Sequence, residues 1–328
     1  MEKTFEIERT ESTKINVIQK LNSSEEIVAV INEGICELQG VFPQYLIVAS
    51  EKHKKLHKME KEGNIKKIKE CYDDLINYLN SEVEKACQIT EKYLLRYFKG
   101  RSKYNPRICI KIPHGYNGEK IIDLYRRSYS TFPEFNVEDN TAFAYFKSTG
   151  KFYVCNNIPE ATKKGEYKNL RINVESVKRS YKPPGFIKKI WYKYRGQPEH
   201  DETWRGFWKD SSKGLPSECF YKSTLVTPMT LINAPLSYEF LTLIFDASNR
   251  GEKIDIREKY KKLAFGFICI DHRHYDYFYP EIDARVGYIF ADFLSLFLIV
   301  RLLFTRRSKT FAKVEKMLRE HKNERKRV

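Results

Sequence analysis

Two strand patterns and one long helix pattern, all between Tyr221 and Phe304, limit the fold of this chain more than any other feature. Residues 221–232 and 263–271 each send alternate side chains to two faces, and both faces are apolar enough to be covered. An aromatic turn then leads into a helix pattern from Pro280 to Phe304. Further strand patterns lie at residues 107–112, 119–125 and 141–146. We therefore predict an α+β fold in which a central antiparallel sheet has helices on one face and a pocket on the other.

The helix pattern from Pro280 to Phe304 has two apolar stripes about half a turn apart. Because a surface helix needs only one covered stripe, the second predicts packing against another helix, in this chain or in a second subunit. Asp292 and Arg301 lie in this segment, which favours a buried helix over a membrane span. The larger side chains are Ile282, Val286, Ile289, Phe293, Leu296 and Val300, and the smaller ones are Ala284, Tyr288, Ala291, Ser295, Leu298 and Leu302.

Residues 65–98 repeat apolar side chains by threes and fours, which places them on one seam of a long helix. We predict a coiled-coil-like helix over residues 61–100 that is shared with a second subunit, and the alternative is packing on its own domain. Residues 1–60 have no assigned role, with a strand expected at Phe5–Ile7 and a helix from Ser23. The positions that interrupt the apolar pattern there are Gly34, Gly40 and Pro43.

Three segments carry a family resemblance. Residues 148–158 read Ser-Thr-Gly-Lys-Phe-Tyr-Val-Cys-Asn-Asn-Ile, and residues 221–231 form the first strand pattern. Residues 263–304 contain Gly-Phe-Ile-Cys-Ile-Asp, an aromatic turn, an acidic helix start and Ala-Asp-Phe-Leu. In this order they resemble a GAF domain, the small-molecule sensor fold of many signalling proteins, over roughly residues 85–305. Lys-Phe stands where Pro is common in the first segment, and Asn157 stands where Asp is common.

The resemblance implies a GAF-like domain over residues 101–305, with insertions at about 174–216 and 233–262 and a basic tail at 306–328. The first insertion places aromatic rings among many Lys and Arg side chains. Such rings could stack on nucleobases beside phosphate-binding cations, or they could form a small core under a long loop. The tryptophans concerned are Trp191, Trp204 and Trp208.

In GAF domains the ligand lies between the sheet and the segment that follows the one matched here by residues 148–158. The resemblance therefore implies a ligand site with Asn156, Asn157, Tyr167, Asn169 and Arg171 on the cover, and Tyr221, Ser223 and Asp271 on the sheet. Arg171 would hold an anion, and the asparagines would bond a polar ligand. The alternative is that the two adjacent asparagines only cap a helix that begins near Pro159.

The better-known special activities of GAF domains lack their residues here. The cyclic-nucleotide signature of phosphodiesterases is not kept after Phe278, and none of the seven cysteines adjoins a histidine as in bilin attachment. A thiol-dependent reductase with Cys219 as nucleophile and Cys155 as resolving thiol is an alternative, although the reductase motif is absent. The only metal-like cluster is His272 and His274 beside Asp271 and Asp276, which a solvated turn explains as well. We predict no catalytic residues, no metal and no cofactor.

Charge and cysteine usage complete the prediction. The net charge of +16 is concentrated in residues 163–209 and in the tail, 306–328, so nucleic-acid binding through the insertion and the tail is a second hypothesis. Cysteines without metal or disulfide spacing, and a start without an apolar run, predict a cytoplasmic protein with reduced thiols and no membrane segment. The first hypothesis is a non-catalytic homodimeric sensor that binds a small polar ligand, such as a nucleotide or a cyclic nucleotide, and signals to a protein partner.

Overall fold

The computed structural model describes residues 2–114, 119–126, 134–182, 202–209, 219–230, 264–305 and 308–325. These residues form an α+β fold around one six-stranded sheet with the order β3-β2-β1-β6-β5-β4, in which every neighbouring pair is antiparallel. The strands are β1 (Arg107–His114), β2 (Lys120–Arg126), β3 (Phe135–Asn136), β4 (Tyr153–Cys155), β5 (Ser223–Met229) and β6 (Gly266–His272). The predicted antiparallel α+β fold is confirmed at this level.

Helices surround the sheet. They are α1 (Glu2–Glu62), α2 (Ile65–Tyr97), α3 (Thr141–Thr149), α4 (Ile158–Lys164), α5 (Val174–Ser180), α6 (Glu202–Gly206), α7 (Pro280–Phe304) and α8 (Lys309–Arg325). A 3₁₀ turn at Val137–Asp139 precedes α3. The helix predicted from Pro280 to Phe304 is confirmed, with Glu281 and Asp283 at the positive end of its dipole.

The main core lies between one face of the sheet and the long helices α1, α2 and α7. Ile108, Ile270 and Leu225 point to this side and pack with Leu79 and Phe290 of the helices. The close approach of α7 to the sheet depends on Gly287, where an added Cβ would lie 3.2 Å from Cβ of Thr227. The opposite face of the sheet is covered in part by α3.

Several expectations about local structure were wrong. The strand expected at Phe5–Ile7 and the helix start expected at Ser23 both lie inside α1, which runs without a break from Glu2 through Gly34 and Pro43. Gly34 lies inside the helix, where α1 packs closely against α7: a Cβ there would lie 2.7 Å from the Phe290 ring. The strand expected at residues 141–146 is α3, which Asn140 caps by accepting a hydrogen bond from the Ala142 N–H (3.0 Å).

The long helix predicted over residues 61–100 is α2, and its apolar seam is covered within the chain. Its buried side chains pack against α1 and α7, and Tyr72 stacks on Phe311 of α8 with ring centres 4.7 Å apart. This arrangement matches the alternative of packing on its own domain, and no second subunit is needed to cover the seam. The seam residues that are buried include Ile68, Leu75, Leu79, Ala86, Ile89 and Tyr93.

The smaller stripe of α7 is largely covered within the chain, and the larger stripe is covered only in part. The smaller stripe faces inward, with Ala284, Ala291 and Ser295 buried, whereas Ile282 of the larger stripe is 58% exposed. Within the described ranges, α7 is the one helix long and apolar enough to cross a membrane, and 56% of that window is buried inside the fold. The core helix of a soluble protein has the same character, so the buried helix expected from the sequence is consistent with the structure.

Candidate functional site

A pocket lies on the face of the sheet opposite the long helices, and we call it the sheet pocket. Its floor is formed by β1, β2, β5 and β6, and its cover by the start of α3 and residues 167–171. The pocket is small: its cavity holds about 80 Å³ of room for water-sized molecules, within about 680 Å³ of empty space that includes open solvent. The charged side chains that line it are Arg107, Lys111, Arg126, Arg171 and Asp271.

A buried ion pair crosses the floor where β1 begins. The register places Arg107 opposite Asp271 of β6 and Asp271 opposite Thr224 of β5. Nη2 of Arg107 lies 2.6 Å from Oδ2 of Asp271, and Oγ1 of Thr224 donates to Oδ1 at 2.7 Å. The Arg107 guanidinium also lies over the ring of Tyr221, 5.1 Å from its centre. Both carboxylate oxygens are therefore bonded.

Arg107 keeps donor capacity that the fold does not use. Burial alone would lower the pKa of Arg107, but the charge of Asp271 outweighs it and raises the pKa, so the guanidinium is always charged. Its Nε and Nη1 atoms are buried and have no hydrogen-bond partner among the residues that the structure describes. A buried donor without an acceptor is costly, so a ligand with acceptor atoms would be favoured there.

A β-bulge brings a second cluster of charges to the same floor. The register shifts between Ile110 and Lys111, so Arg126 and Asp123 of β2 lie on one side of the sheet although strict alternation would separate them. Asp123 Oδ2 accepts from Arg126 Nε at 2.9 Å, and Oδ1 also accepts from Lys111. Burial would raise the pKa of Asp123, but the two cations outweigh it and the pKa is lowered. One carboxylate thus stands between two cations.

The cover of the pocket is held by hydrogen bonds to the sheet and to α3. Nδ2 of Asn169 donates to the Tyr221 hydroxyl at 2.8 Å, and Oδ1 accepts from the Arg171 N–H at 3.0 Å. The Lys168 N–H donates to Oγ1 of Thr141, the first residue of α3, at 2.8 Å. Burial raises the pKa of Tyr221, so its hydroxyl stays protonated and can donate.

A small aromatic core supports the cover from outside. Trp204 and Trp208 are each 1% exposed, and Nε1 of Trp204 donates to the backbone oxygen of Tyr221 at 3.2 Å. Arg171 lies over Trp208, 5.0 Å from the ring centre. In this part of the first insertion the tryptophans form a core and are not available to stack on nucleobases. Trp191 lies outside the described residues, as does the whole of the second insertion.

Five of the predicted site residues line the sheet pocket, and three do not. The five are Tyr167, Asn169, Arg171, Tyr221 and Asp271. Asn156 instead bridges to the backbone of Phe278, donating to its oxygen at 2.8 Å and accepting from its N–H at 3.1 Å. Asn157 caps α4, as in the alternative interpretation. Ser223 is opposite His272 and donates to its backbone oxygen at 3.4 Å.

Sequence reasoning missed Arg107, Lys111 and Arg126. A signal for the first two was present, because they alternate with Cys109 along one face of a predicted strand. Arg126 could not be placed without the bulge. Together with Arg171 they place four cations in the pocket lining. Arg107 pairs with Asp271, and Lys111 and Arg126 share Asp123, so the net charge of these six side chains is +2.

The structure gives no support to the thiol reductase at Cys219 and Cys155 or to a metal site at His272 and His274. Cys219 is 2% exposed, and burial raises the pKa of Cys155, which disfavours its reactive thiolate. The His272 ring stacks on Tyr277. Its Nδ1 accepts a hydrogen bond from the His274 N–H, and its Nε2 donates one to the backbone oxygen of Tyr104. Burial lowers the pKa of His272 to about 3. It is therefore a neutral, fully bonded core histidine. The described residues contain no group of three or more side chains that could hold a metal ion.

No protein-family model, no curated protein and no solved structure matches this chain. The class of protein is therefore defined by its own architecture, an antiparallel α+β sheet with a helical layer behind it and a cation-lined pocket in front.

Proposed function

We propose that this protein is a non-catalytic sensor that binds a small polar ligand with negative charge, such as a nucleotide or a cyclic nucleotide, in the sheet pocket of a GAF-like domain. The observation that carries the proposal is the buried, incompletely bonded guanidinium of Arg107 in a pocket lined by three further cations. Phosphate oxygens, like carboxylate oxygens, match the fork of donors on a guanidinium group and form charge-assisted hydrogen bonds with it. A central antiparallel sheet between a helical layer and a pocket supports the GAF-like assignment.

The position of the Arg107–Asp271 pair suggests how binding is transmitted. Arg107 begins β1, which follows α2, and Asp271 lies at the end of β6, which precedes α7. The adjoining helix ends are tied together, because Asp283 of α7 accepts from the Tyr97 hydroxyl of α2 at 2.7 Å and pairs with Arg101 at 2.7 Å. A ligand that draws Arg107 toward itself would act directly on the junction of α2 and α7.

In this proposal the protein is cytoplasmic, and the signal leaves through the helices to a second copy of the chain or to a protein partner. Apolar side chains that neither the sheet nor the other helices cover support such contacts. Val28, Leu46 and Ile47 on α1 are 54%, 41% and 53% exposed.

The proposal is tested by thermal unfolding with nucleoside monophosphates and cyclic nucleotides, using the matching uncharged nucleosides as controls. A ligand at 100 times its Kd stabilises the fold by about 2.7 kcal/mol, which raises Tm by about 4 °C for a chain of 328 residues. We expect the phosphorylated members to give the shift and the nucleosides to give none. Native mass spectrometry of the same samples reports the bound ligand and the number of subunits.

Two variants locate the effect. Arg126→Gln removes a pocket cation and should abolish the shift, whereas Arg319→Gln, in an exposed pair with Glu315 on α8, should preserve it. No shift with any phosphorylated compound, or the same shift in both variants, would contradict the proposal. The alternatives, nucleic-acid binding through the basic tail and thiol chemistry at Cys219, predict no nucleotide shift that depends on Arg126.

A further inference from the structure

Two thiols face each other in the floor of the sheet pocket. Cys109 of β1 and Cys269 of β6 are direct cross-strand partners, and both line the pocket. All seven cysteines are free thiols. Among the strand pairings of the described residues, this is the one place where two cysteines are opposed.

The backbone already holds the two thiols at the spacing of a disulfide. Directly opposed residues of antiparallel strands have Cα atoms about 4.5–5.5 Å apart. Disulfides bridge Cα atoms about 4.4–6.8 Å apart. The Cα spacing of this register is therefore compatible with a disulfide between Cys109 and Cys269.

The surroundings make the two thiols chemically unequal. The Cys269 thiol donates a hydrogen bond to the Cys109 sulfur; with the charges of Lys111 and Arg126, this outweighs burial and lowers the pKa of Cys109. Burial and the neighbouring Cys109 raise the pKa of Cys269 well above its ordinary value. Asp271 opposes the lowering at Cys109 but is outweighed. Both thiols are buried, at 1% and 3% exposed, so a peroxide would reach them through the pocket that they line. The cations Lys111 and Arg126 beside Cys109 favour its thiolate, so we assign Cys109 as the nucleophile and Cys269 as its resolving partner.

We propose that Cys109 and Cys269 form a redox-active dithiol that reduces a hydroperoxide entering the sheet pocket and closes a disulfide across its floor. The Cys109 thiolate attacks one peroxide oxygen, so an S–O bond forms, the O–O bond breaks, and the leaving oxygen takes a proton to become water or an alcohol. Cys269 then loses its proton and attacks the Cys109 sulfur. The S–S bond forms, the S–O bond breaks, and the hydroxide leaves as water.

In total, two thiols supply two electrons to one hydroperoxide. The disulfide removes the thiolate from beside Lys111 and Arg126, so the oxidised pocket is more electropositive than the reduced one. Oxidation would therefore change the field that an anionic ligand meets.

The test uses the full-length protein without added ligand, so its result is independent of whether nucleotides bind. The protein is treated with hydrogen peroxide, denatured, alkylated at its remaining thiols, digested and analysed by mass spectrometry. We expect the first disulfide to join the peptides that contain Cys109 and Cys269, and we expect dithiothreitol to reverse it.

Two variants sharpen the result. Cys269→Ser removes the resolving thiol, so we expect complete loss of the cross-link and capture of a Cys109 sulfenic acid by dimedone. Cys87→Ser replaces another buried thiol, in α2, and should leave the cross-link unchanged. If Cys109 and Cys269 are still fully alkylated when the exposed Cys36 is already oxidised, the proposal is wrong. Disulfide mapping of the protein without substitutions tests the proposal even if a variant does not fold.

Discussion

Replacing Gly287 with alanine tests the close packing of α7 against Thr227 of the sheet. A Cβ at this position would meet Oγ1 of Thr227 and lie 3.2 Å from its Cβ and 3.4 Å from its Cγ2. Thr227 cannot withdraw because its strand, β5, is hydrogen-bonded to β6 along its length. The matched control is Gly40→Ala in α1, where an added Cβ has no atom within 4 Å.

Both changes remove the flexibility of a helical glycine, which should stabilise the fold by about 0.5–1 kcal/mol each. Only Gly287→Ala adds a forced contact, which costs about 1–3 kcal/mol. The gain in helix propensity is the same in both variants and cancels when they are compared. The Gly287→Ala protein should therefore be less stable than the Gly40→Ala protein by about 1–3 kcal/mol. With an m-value of about 3 kcal/mol/M, the midpoints of urea unfolding should differ by about 0.3–1 M. Equal midpoints would refute the close packing of α7 on β5.

Three carboxylates give further predictions. Burial raises the pKa of Asp292 to about 6, so the folded state favours its protonated form and this group costs stability as pH rises from about 4 to 6. Because the side chain is only half-buried, solvent screening reduces this cost, and Asp292→Asn should stabilise by about 1–2 kcal/mol at pH 7.5 and change nothing at pH 4 in urea unfolding. Asp283→Asn on the same helix should instead destabilise by about 3–5 kcal/mol, because it leaves a buried network without its anion. Asp271→Asn should cost a similar amount by leaving Arg107 buried and unpaired, whereas Glu138→Gln in an exposed ion pair should cost less than about 1 kcal/mol.

The sequence predicted elements whose pattern is long and local. The helix Pro280–Phe304 was predicted at its observed ends because a proline, two acidic residues and an unbroken apolar run mark it. Residues 141–146 were assigned to a strand, yet the buried Ala142, Phe143 and Phe146 follow helical spacing from the Asn140 cap. Gly34 was interpreted as an interruption of the helix. Its actual role is to make room for the ring of Phe290, and a contact between residues so far apart in sequence cannot be read from the local pattern.

The candidate site was predicted only where its residues are close together in sequence. Tyr167, Asn169 and Arg171 are neighbours in sequence, so a resemblance over one short segment could place them together. Arg126 reaches the floor only because the bulge in β2 turns it to that side, and such a shift in register leaves no mark in the sequence. Its ligand-binding role, like that of the others, stays a prediction that the nucleotide experiment tests.

The length of α2 has a mechanical consequence. With 33 residues it is about 50 Å long, and nine residues connect its end at Tyr97 to the start of β1 at the pocket floor. A tilt of about two degrees at that base moves the far end by almost 2 Å, while the residues near the sheet hardly shift. That far end is where Tyr72 stacks on Phe311 of α8. Because α2 packs against α1, α7 and α8, such a tilt would carry these helices with it, so a small movement beside the sheet would appear at the surface as a movement of the whole helical layer.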